Sequence, residues 1–430
     1  MFERLRIMAV PVLAAVVALF MGLEPSLLGT GRVQPLDWLA PCFAGLAVMV
    51  LAASRGGKPL GWGGLFLYLA IALLPVLLLC AMISTVRPWP WLLALTGFLI
   101  IATAILGAML ARPKGKWVMA GAGLLLLIAM NRAVHATEGR YILGRTPDVG
   151  VMSALPLFGA GQGPKDGLLS VGGMSPLMDA LFFIPEPMDV LDAKSLAPFA
   201  HLLLAQPRLL HPEELVALDS WVRAGGHVVI LADPLLHWPT GHALGDPRRP
   251  PLTSLLDPLL THWGLTLEPA NGSQPEERRV LSGGEVLQLS GSSRFTLAKG
   301  APCILEEQAL FARCTLGKGS AMLVADADWI NDAMWTVDPQ KRRDRGAWTS
   351  DAVGVLSALV KGDALYGPQW PWLTSQDALI AALRWSIALI LLLGVLLAAK
   401  GPIPISTHDP PRRKPDQDEE RDSVSPDSVA

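Results

Sequence analysis

The chain has 430 residues, of which 51% are hydrophobic and only 17% are charged, and its formal net charge is -2. With no basic face in the sequence, this balance gives no support to nucleic-acid binding. The mean hydropathy of +0.41 is high for a water-soluble globular protein, so the apolar segments decide the predicted architecture.

Five apolar segments follow one another early in the chain, and each is close to the ~20 residues that a bilayer requires. They cover residues 5–23, 39–53, 63–83, 91–111 and 116–130, and a sixth covers 378–399 and contains Arg384. No Ala-x-Ala site follows the first segment, which favours an uncleaved helix over a signal peptide. Arg384 either reaches towards lipid headgroups or contacts other helices. The sequence therefore predicts a multi-pass α-helical membrane protein.

Lys and Arg residues beside these segments predict the orientation. Arg4 and Arg6 lie at the amino-terminal end of the first segment and Lys400 follows the sixth, which places both termini in the cytoplasm. Trp370 and Trp372 lie beside a predicted outer helix end, as an interfacial aromatic belt would. We expect the inner (plasma) membrane as the location, with the large central segment outside the cytoplasm.

Four regions are predicted in chain order. Residues 1–135 form a five-helix transmembrane domain, and 146–365 form an extracytoplasmic α/β domain. Residues 376–400 form the last transmembrane helix. The segment 401–430 is a disordered cytoplasmic tail, because it has too few apolar residues to fold alone.

The α/β prediction comes mainly from residues 198–236. A short apolar run ends at Pro207, and Pro212 then begins a segment with apolar residues at helical spacing, which Gly225 ends. The unbroken apolar run 228–231 is typical of a strand buried on both faces, as in a parallel sheet covered by helices. This stretch therefore predicts a strand-helix-strand unit in a mostly parallel sheet.

Two segments of the chain resemble a known family. The first opens its helix with Pro-Glu-Glu-Leu, continues as Trp-Val-Arg-Ala-Gly-Gly and ends its strand with Asp233-Pro234; the second, at 316–331, has a Gly-Lys-Gly turn and a strand that ends in Asp-x-Asp. Both resemble the extracytoplasmic domain of gliding-motility-type ABC transporter auxiliary proteins. The resemblance covers about fifty residues and implies a fold similar to class I glutamine amidotransferases. Members of that family have fewer helices before this domain, so the five expected here depart from its pattern.

Short strands broken by Gly and Ser between residues 279 and 316 predict a β-rich insertion of hairpins. Cys303 and Cys314 flank its last turn. If Gln308 and Ala309 form that turn, the two cysteines lie opposite each other, where they form either a disulfide or two buried thiols.

Three acids follow strands of the predicted sheet. Asp233 ends one strand, and Asp326 and Asp328 end another, at the edge where open α/β sheets bind ligands. Together these carboxylates could hold a cation or act as acid and base. The alternative is that each caps a following helix, Asp328 most plainly. Asp233, Asp326 and Asp328 are therefore the candidate ligand-binding residues beside this capping alternative, and we expect no resident metal or cofactor.

The sequence predicts that the protein is not an enzyme. Neither Cys nor Ser stands at the strand end where an amidotransferase has its nucleophile, and the later strand end offers no His. The segment 317–320, Gly-Lys-Gly-Ser, lacks the upstream glycine and the ending of a P-loop.

The resemblance implies a non-enzymatic membrane subunit or accessory protein of an ABC-type transport system, whose outer domain binds a partner or ligand. Its expected partners are the lipid bilayer and a separate ABC ATPase or permease subunit. The alternative is a membrane-anchored sensor or envelope assembly factor unrelated to transport.

Overall fold

A computed structural model of the chain describes residues 2–54, 62–111, 147–158, 174–246, 248–269, 277–291 and 293–400. The predicted span 116–130 and the predicted tail 401–430 lie outside these ranges. The strands are β1 (Asp148–Ser153), β2 (Ile184–Pro187), β3 (His201–Ala205), β4 (His227–Leu231), β5 (Leu265–Glu268), β6 (Glu277–Val280), β7 (Val286–Leu289), β8 (Arg294–Leu297), β9 (Cys303–Glu306), β10 (Phe311–Leu316) and β11 (Gly319–Val324).

The α-helices fall into two groups along the chain. Four long helices come first and a fifth comes last: α1 (Phe2–Met21), α2 (Leu39–Ser54), α3 (Trp62–Ile83), α4 (Trp89–Ala111) and α11 (Gln376–Lys400). Between them lie shorter helices interspersed with the strands: α5 (Pro176–Ala180), α6 (Ala193–Leu196), α7 (Pro212–Ala224), α8 (Asp257–His262), α9 (Asp332–Trp335) and α10 (Ala352–Lys361).

The larger sheet has seven strands in the order β2-β1-β3-β4-β11-β10-β9. The strands from β2 to β11 in this order run parallel, and β10 and β9 continue the sheet in antiparallel pairing. Helix α7 packs against β11, and α10 packs against β3 and β4. Residues 202–205 of β3 and 228–231 of β4 are apolar and buried, as expected for strands that helices cover.

The predicted strand-helix-strand unit is confirmed as β3, α7 and β4. Pro212 is the first residue of α7, and the Glu214 carboxylate accepts the His211 N–H at 2.9 Å, which satisfies a donor that the helix itself leaves free. Gly225 ends the helix with a φ of +130°, which few residues other than glycine adopt. Residue 203 of β3 then lies beside residue 229 of β4 in parallel register.

The predicted β-rich insertion is smaller than expected. Two separate two-stranded sheets are present, β5 with β8 and β6 with β7. Strands β9 and β10, which were expected in the insertion, instead belong to the larger sheet, because β10 turns back at Gly317 and pairs with β11 along its whole length. The larger sheet is therefore mixed.

The long helices pack on one another around a core of their own. Leu19, Leu46, Ile71, Leu95 and Ile390 contribute to this core from α1, α2, α3, α4 and α11. The Trp38 indole N–H donates to the Leu19 carbonyl at 2.9 Å within it. Arg384 on α11 is exposed rather than packed into this core.

The prediction of a six-helix, multi-pass membrane protein is wrong. In the described part of the chain, two helices are long and apolar enough to cross a membrane by length and composition, Gly64–Ile83 and Gln376–Leu396. The apolar parts of the other long helices, Ala9–Met21, Pro35–Val50 and Trp89–Ile105, are shorter. Hydropathy alone does not separate a span from a helix whose apolar side chains pack on neighbouring helices.

Several expectations depended on six spans and are corrected with that prediction. They are the inner-membrane location with two cytoplasmic termini, the extracytoplasmic or periplasmic placement of the α/β domain, and the description of the chain as a transmembrane transport protein with an amidotransferase-like outer domain. The described architecture is instead a group of packed apolar helices joined to a domain with a seven-stranded mixed sheet.

The segment 370–373 joins the long helices to the α/β domain. The Val33 N–H donates to the Pro371 carbonyl at 2.7 Å, and the Thr85 N–H donates to the Trp372 carbonyl at 2.8 Å. On the other side, the Trp372 indole N–H donates to Asp351 Oδ2 at 2.7 Å. Trp370 and Trp372 are buried in this junction, so their expected place in an interfacial belt is also wrong.

Gly319 allows the close packing of α7 against β11. A Cβ atom at this position would collide with the carbonyl oxygens of Val222 and Gly226, which are backbone atoms and cannot rotate away. We expect Gly319→Ala to lower the free energy of unfolding by about 2 kcal/mol or more, measured by urea unfolding of the full chain. Gly241→Ala is the matched control, because a Cβ there meets nothing within 4 Å. Equal stability of the two variants would contradict this packing.

Candidate functional site

The carboxyl ends of β4 and β11 lie side by side and bring the three predicted acids together. Residue 231 of β4 is in register with residue 324 of β11, so Asp233 follows one strand where Asp326 and Asp328 follow the other. All three side chains are buried, and one carboxylate oxygen from each lies within 4.8 Å of the others. We call Asp233, Asp326 and Asp328 the acidic cluster.

Backbone amides surround Asp233. Its Oδ1 accepts the Leu235 N–H at 2.8 Å, and its Oδ2 accepts the Ala327 N–H at 3.1 Å. The second of these bonds crosses from the end of β4 to the end of β11. Asp233 therefore ties the two strand ends together through main-chain donors.

Asp326 caps the turn that follows β11. Its Oδ1 accepts the N–H groups of Asp328 at 2.7 Å and Trp329 at 3.2 Å, and its Oδ2 accepts the Ser290 N–H at 3.1 Å. Capping was expected of Asp328, whose Oδ2 instead accepts the His237 N–H at 2.7 Å. Asp328 thus holds the loop after β4, and Asp326 holds the segment after β7.

Gln206 is part of the site, although the sequence did not single it out. It is fully buried with a φ of +44°, and its amide donates to the carbonyls of Asp233 at 3.0 Å and Pro251 at 3.1 Å. In return, its Oε1 accepts the Asp233 N–H at 2.9 Å. The sequence did contain a signal for Gln206, because it is a polar residue directly after an apolar strand. Gln206 fixes the backbone that carries Asp233.

Burial makes the acidic cluster hard to ionise. Burial raises the pKa of Asp233, although the N–H groups of Leu235 and Ala327 oppose this. Burial, and then the negative charges of Asp233 and Asp328, raise the pKa of Asp326 well above its usual value. Burial also raises the pKa of Asp328 to about 7. Like charges this close in a low-dielectric site favour retention of a proton or an added positive charge.

A hard cation is the metal that such a site would suit, because Ca²⁺ and Mg²⁺ prefer carboxylate oxygens. However, both oxygens of Asp233 and both oxygens of Asp326 already accept backbone N–H groups. Main-chain donors thus provide a large part of the compensation that a metal would provide. The His237 side chain, 44% exposed, lies beside Asp328 with 3.7 Å between Nδ1 and Oδ2, at the solvent side of the cluster.

His237, Ser290 and Asp328 have the residue types of a catalytic triad without its geometry. The Ser290 Oγ lies 3.3 Å from His237 Nδ1, and Asp328 Oδ2 lies 3.7 Å from the same nitrogen. A triad requires the nucleophile and the carboxylate on opposite nitrogens, so that the ring passes a proton between them. This arrangement cannot act as that relay.

The segment 317–320 consists of the two-residue turn between the antiparallel strands β10 and β11 and the first two residues of β11. Gly317 has a φ of +60°, and a Cβ there would lie 2.7 Å from the Arg223 carbonyl oxygen. A P-loop connects a strand to a helix, whose N-terminus faces the phosphates. The turn here connects two strands.

Cys303 and Cys314 are joined by a disulfide. They face each other across the β9–β10 pair, as expected for cysteines that flank the turn. Cys42 and Cys80 are buried free thiols among the long helices. The disulfide fastens the last strand of the larger sheet to its neighbour.

Fold and site together describe an open α/β sheet with a buried acidic cluster at the carboxyl ends of adjacent parallel strands. No family model and no curated protein matches the chain.

Solved structures resemble parts of the chain at low identity. An exo-beta-1,4-mannosidase from an Opitutaceae bacterium is 12% identical over 48% of this chain and 34% of its own, with a TM-score of 0.26. A cytoplasmic protein from Salmonella typhimurium is 10% identical over 50% of this chain and 98% of its own, with a TM-score of 0.29. A ThuA-like protein from Parabacteroides merdae is 10% identical over 54% of this chain and 99% of its own, with a TM-score of 0.25. The chain spans about a third of the length of the mannosidase. These TM-scores are too low to support any assignment of function.

The raised pKa of Asp328 predicts a pH dependence of stability. In the unfolded chain its pKa is near 3.8, so between about pH 4 and about pH 7 the folded state holds more protons than the unfolded state. Its contribution to the free energy of unfolding is therefore fully present at low pH and is lost as pH rises through about 7.

Urea unfolding across this pH range tests the effect. We expect the stability of the native chain relative to Asp328→Asn to fall as pH rises from about 4 to about 7. Asp257→Asn, at an exposed acid at the start of α8, is the matched control. If the stability of the native chain relative to Asp328→Asn instead stays constant or grows as pH rises, Asp328 is ionised in the folded state over this whole pH range.

Proposed function

We propose that the α/β domain is a non-enzymatic binding domain and that the chain is an accessory protein of an ABC-type transport system, acting with a separate ATPase. The placement of the two segments that resemble the auxiliary family supports this proposal. They are far apart in sequence, yet β4 of the first pairs directly with β11 of the second. The residues that carry the resemblance thus form one continuous part of the sheet.

The acidic cluster supports binding rather than covalent chemistry. Asp233 and Pro234 occupy the strand end where an amidotransferase has its nucleophile. The one histidine at the cluster, among the described residues, faces Ser290 and Asp328 through a single nitrogen. A nucleophile with a positioned base is the minimum that acyl transfer needs, and this edge lacks that geometry.

The proposed binding role depends on one observation. The buried carboxyls of the acidic cluster, whose pKa values are raised, lie beside the half-exposed His237 side chain. Strand ends of an open α/β sheet are its usual ligand site. Here Asp328 and His237 form the solvent side, and the deeper Asp233 and Asp326 hold the surrounding loops. A group that brings positive charge or several N–H donors would offset the unfavourable charge of the cluster.

Copurification tests the transport role. A tagged full-length chain, extracted under mild conditions from its own host, should retain a polypeptide with an ABC-type ATPase sequence, identified by mass spectrometry. His237→Ala should weaken this retention if the partner contacts the acidic edge, and His262→Ala, at an exposed ring on α8, is the matched control. Repeated recovery of the chain without any ATPase would favour the alternative of a sensor or assembly factor.

The non-enzymatic role has its own test. Asp328→Asn keeps an oxygen that can accept the His237 N–H but removes the titratable group. If the edge only binds, transport by the intact system should fall in this variant no further than its ATPase retention falls. Removal of a general acid or base lowers rates by roughly 10²–10⁴-fold, and a loss of that size with normal protein level and normal ATPase retention would contradict the proposal.

A further inference from the structure

The two edges of the seven-stranded sheet differ in what they offer to another strand. Ile184, the first residue of β2, and Met188, which follows β2, donate their N–H groups to the carbonyls of Pro147 and Val151, so the backbone groups of residues 184, 186 and 188 face β1. The residues that face outward are 185 and 187, and both are proline. Proline has no N–H, so this edge cannot donate to an added strand.

The opposite edge, β9, has free donors and acceptors. The Thr315 N–H donates to the Pro302 carbonyl at 2.9 Å, which makes 302 and 315 a hydrogen-bonded pair. In an antiparallel ladder such pairs alternate, so 304 and 306 also face β10, and Cys303 and Leu305 turn their backbone groups outward. No backbone hydrogen bond within the described part of the chain reaches those outward groups. The nearby strand β8 pairs with β5 instead.

Side chains on β9 do not protect the edge either. Ile304 is 58% exposed and Leu305 is 37% exposed, so two adjacent large apolar side chains lie on this edge strand. The charged residues beside them neutralise each other, because Arg313 and Glu306 form an ion pair at 2.9 Å. Natural edges are usually blocked by lysine, proline or a bulge. Here, the disulfide from Cys303 to Cys314 holds β9 in place.

We propose that β9 pairs with β9 of a second copy of this chain, antiparallel about a twofold axis at Ile304, so that two sheets become one. In this register, Cys303 lies opposite Leu305 of the second copy, and the outward N–H and C=O groups of each bond to those of the other. The two Ile304 side chains meet on the axis, and Leu305 packs beside Cys303 of the second copy.

Self-pairing fits the charges as well as the hydrogen bonds. Glu306 lies opposite Pro302 of the second copy, so no like charges face each other directly. Because the same residues supply both sides, the surface is self-complementary, as a twofold interface requires. The strand has only four residues, so the dimer is weak and depends on concentration.

Sedimentation velocity of the full-length chain over a range of concentrations tests the dimer. Ile304→Lys places two lysines opposite each other on the axis and should weaken self-association by about tenfold or more. Ile184→Lys is the matched control, because Ile184 is 50% exposed on the proline-blocked edge; it should leave self-association unchanged. An equal effect of the two variants, or a wild-type chain that stays monomeric throughout, would overturn the proposal.

Crosslinking tests the register independently. Ile304→Cys should form a covalent dimer on mild oxidation, with a link between the two residues 304 that is mapped by mass spectrometry of the digested protein. Ile184→Cys should remain uncrosslinked under the same conditions. A link from residue 304 to a different protein would mean that β9 serves another partner, and a link through any other pair of residues would reject the twofold register.

Discussion

Hydrogen bonds from backbone amides to three buried carboxylates are the interaction on which the site depends. Asp233 receives its donors from residues 235 and 327, Asp326 from 290, 328 and 329, and Asp328 from 237. These donors come from three segments that are distant in sequence. Each bond favours the charged carboxylate, whereas burial and mutual repulsion disfavour it. Burial and repulsion outweigh these bonds and raise the pKa of all three carboxyls, and a change in the charge of the cluster acts on all three segments.

The seven-stranded sheet that brings the acidic cluster together also determines which of the sheet's two edge strands can pair with a further strand. Strand β4 lies between β3 and β11, so the acids meet in the middle of the sheet, far from the two edge strands in strand order. At one edge, prolines remove the outward donors, and at the other a disulfide fastens a strand that keeps them. The cluster and the open edge are consequently separate features, and loss of one does not require loss of the other.

Local patterns predicted the features that depend on neighbouring residues. The apolar run of β4 and the Pro212-to-Gly225 helix were readable because periodicity and helix ends are local signals. The meeting of Asp233 with Asp326 and Asp328 was readable because parallel strands share a carboxyl edge. The assignment of β9 and β10 to an insertion failed because the sequence does not show that the turn at Gly317 joins β10 to β11, a core strand of the larger sheet. Six predicted spans failed for a related reason, since hydropathy records apolar side chains but not the helices on which they pack.

Asp326 differs from most capping acids in being buried, and its burial affects the ionisation of the whole cluster. A cap next to a helix start would be solvent-exposed and ionised, yet Asp326 caps the turn after β11 while fully buried. Its ionisation is therefore opposed by Asp233 and Asp328, whose charges raise its pKa further. When one member of the cluster takes up a proton, the cost of ionising the other two falls. A ligand that brings positive charge to Asp328 and His237 would act in the same direction. Binding at the exposed side can thus tighten the buried bond from Asp326 to the segment after β7 as well as the bonds to the loop that the ligand itself contacts.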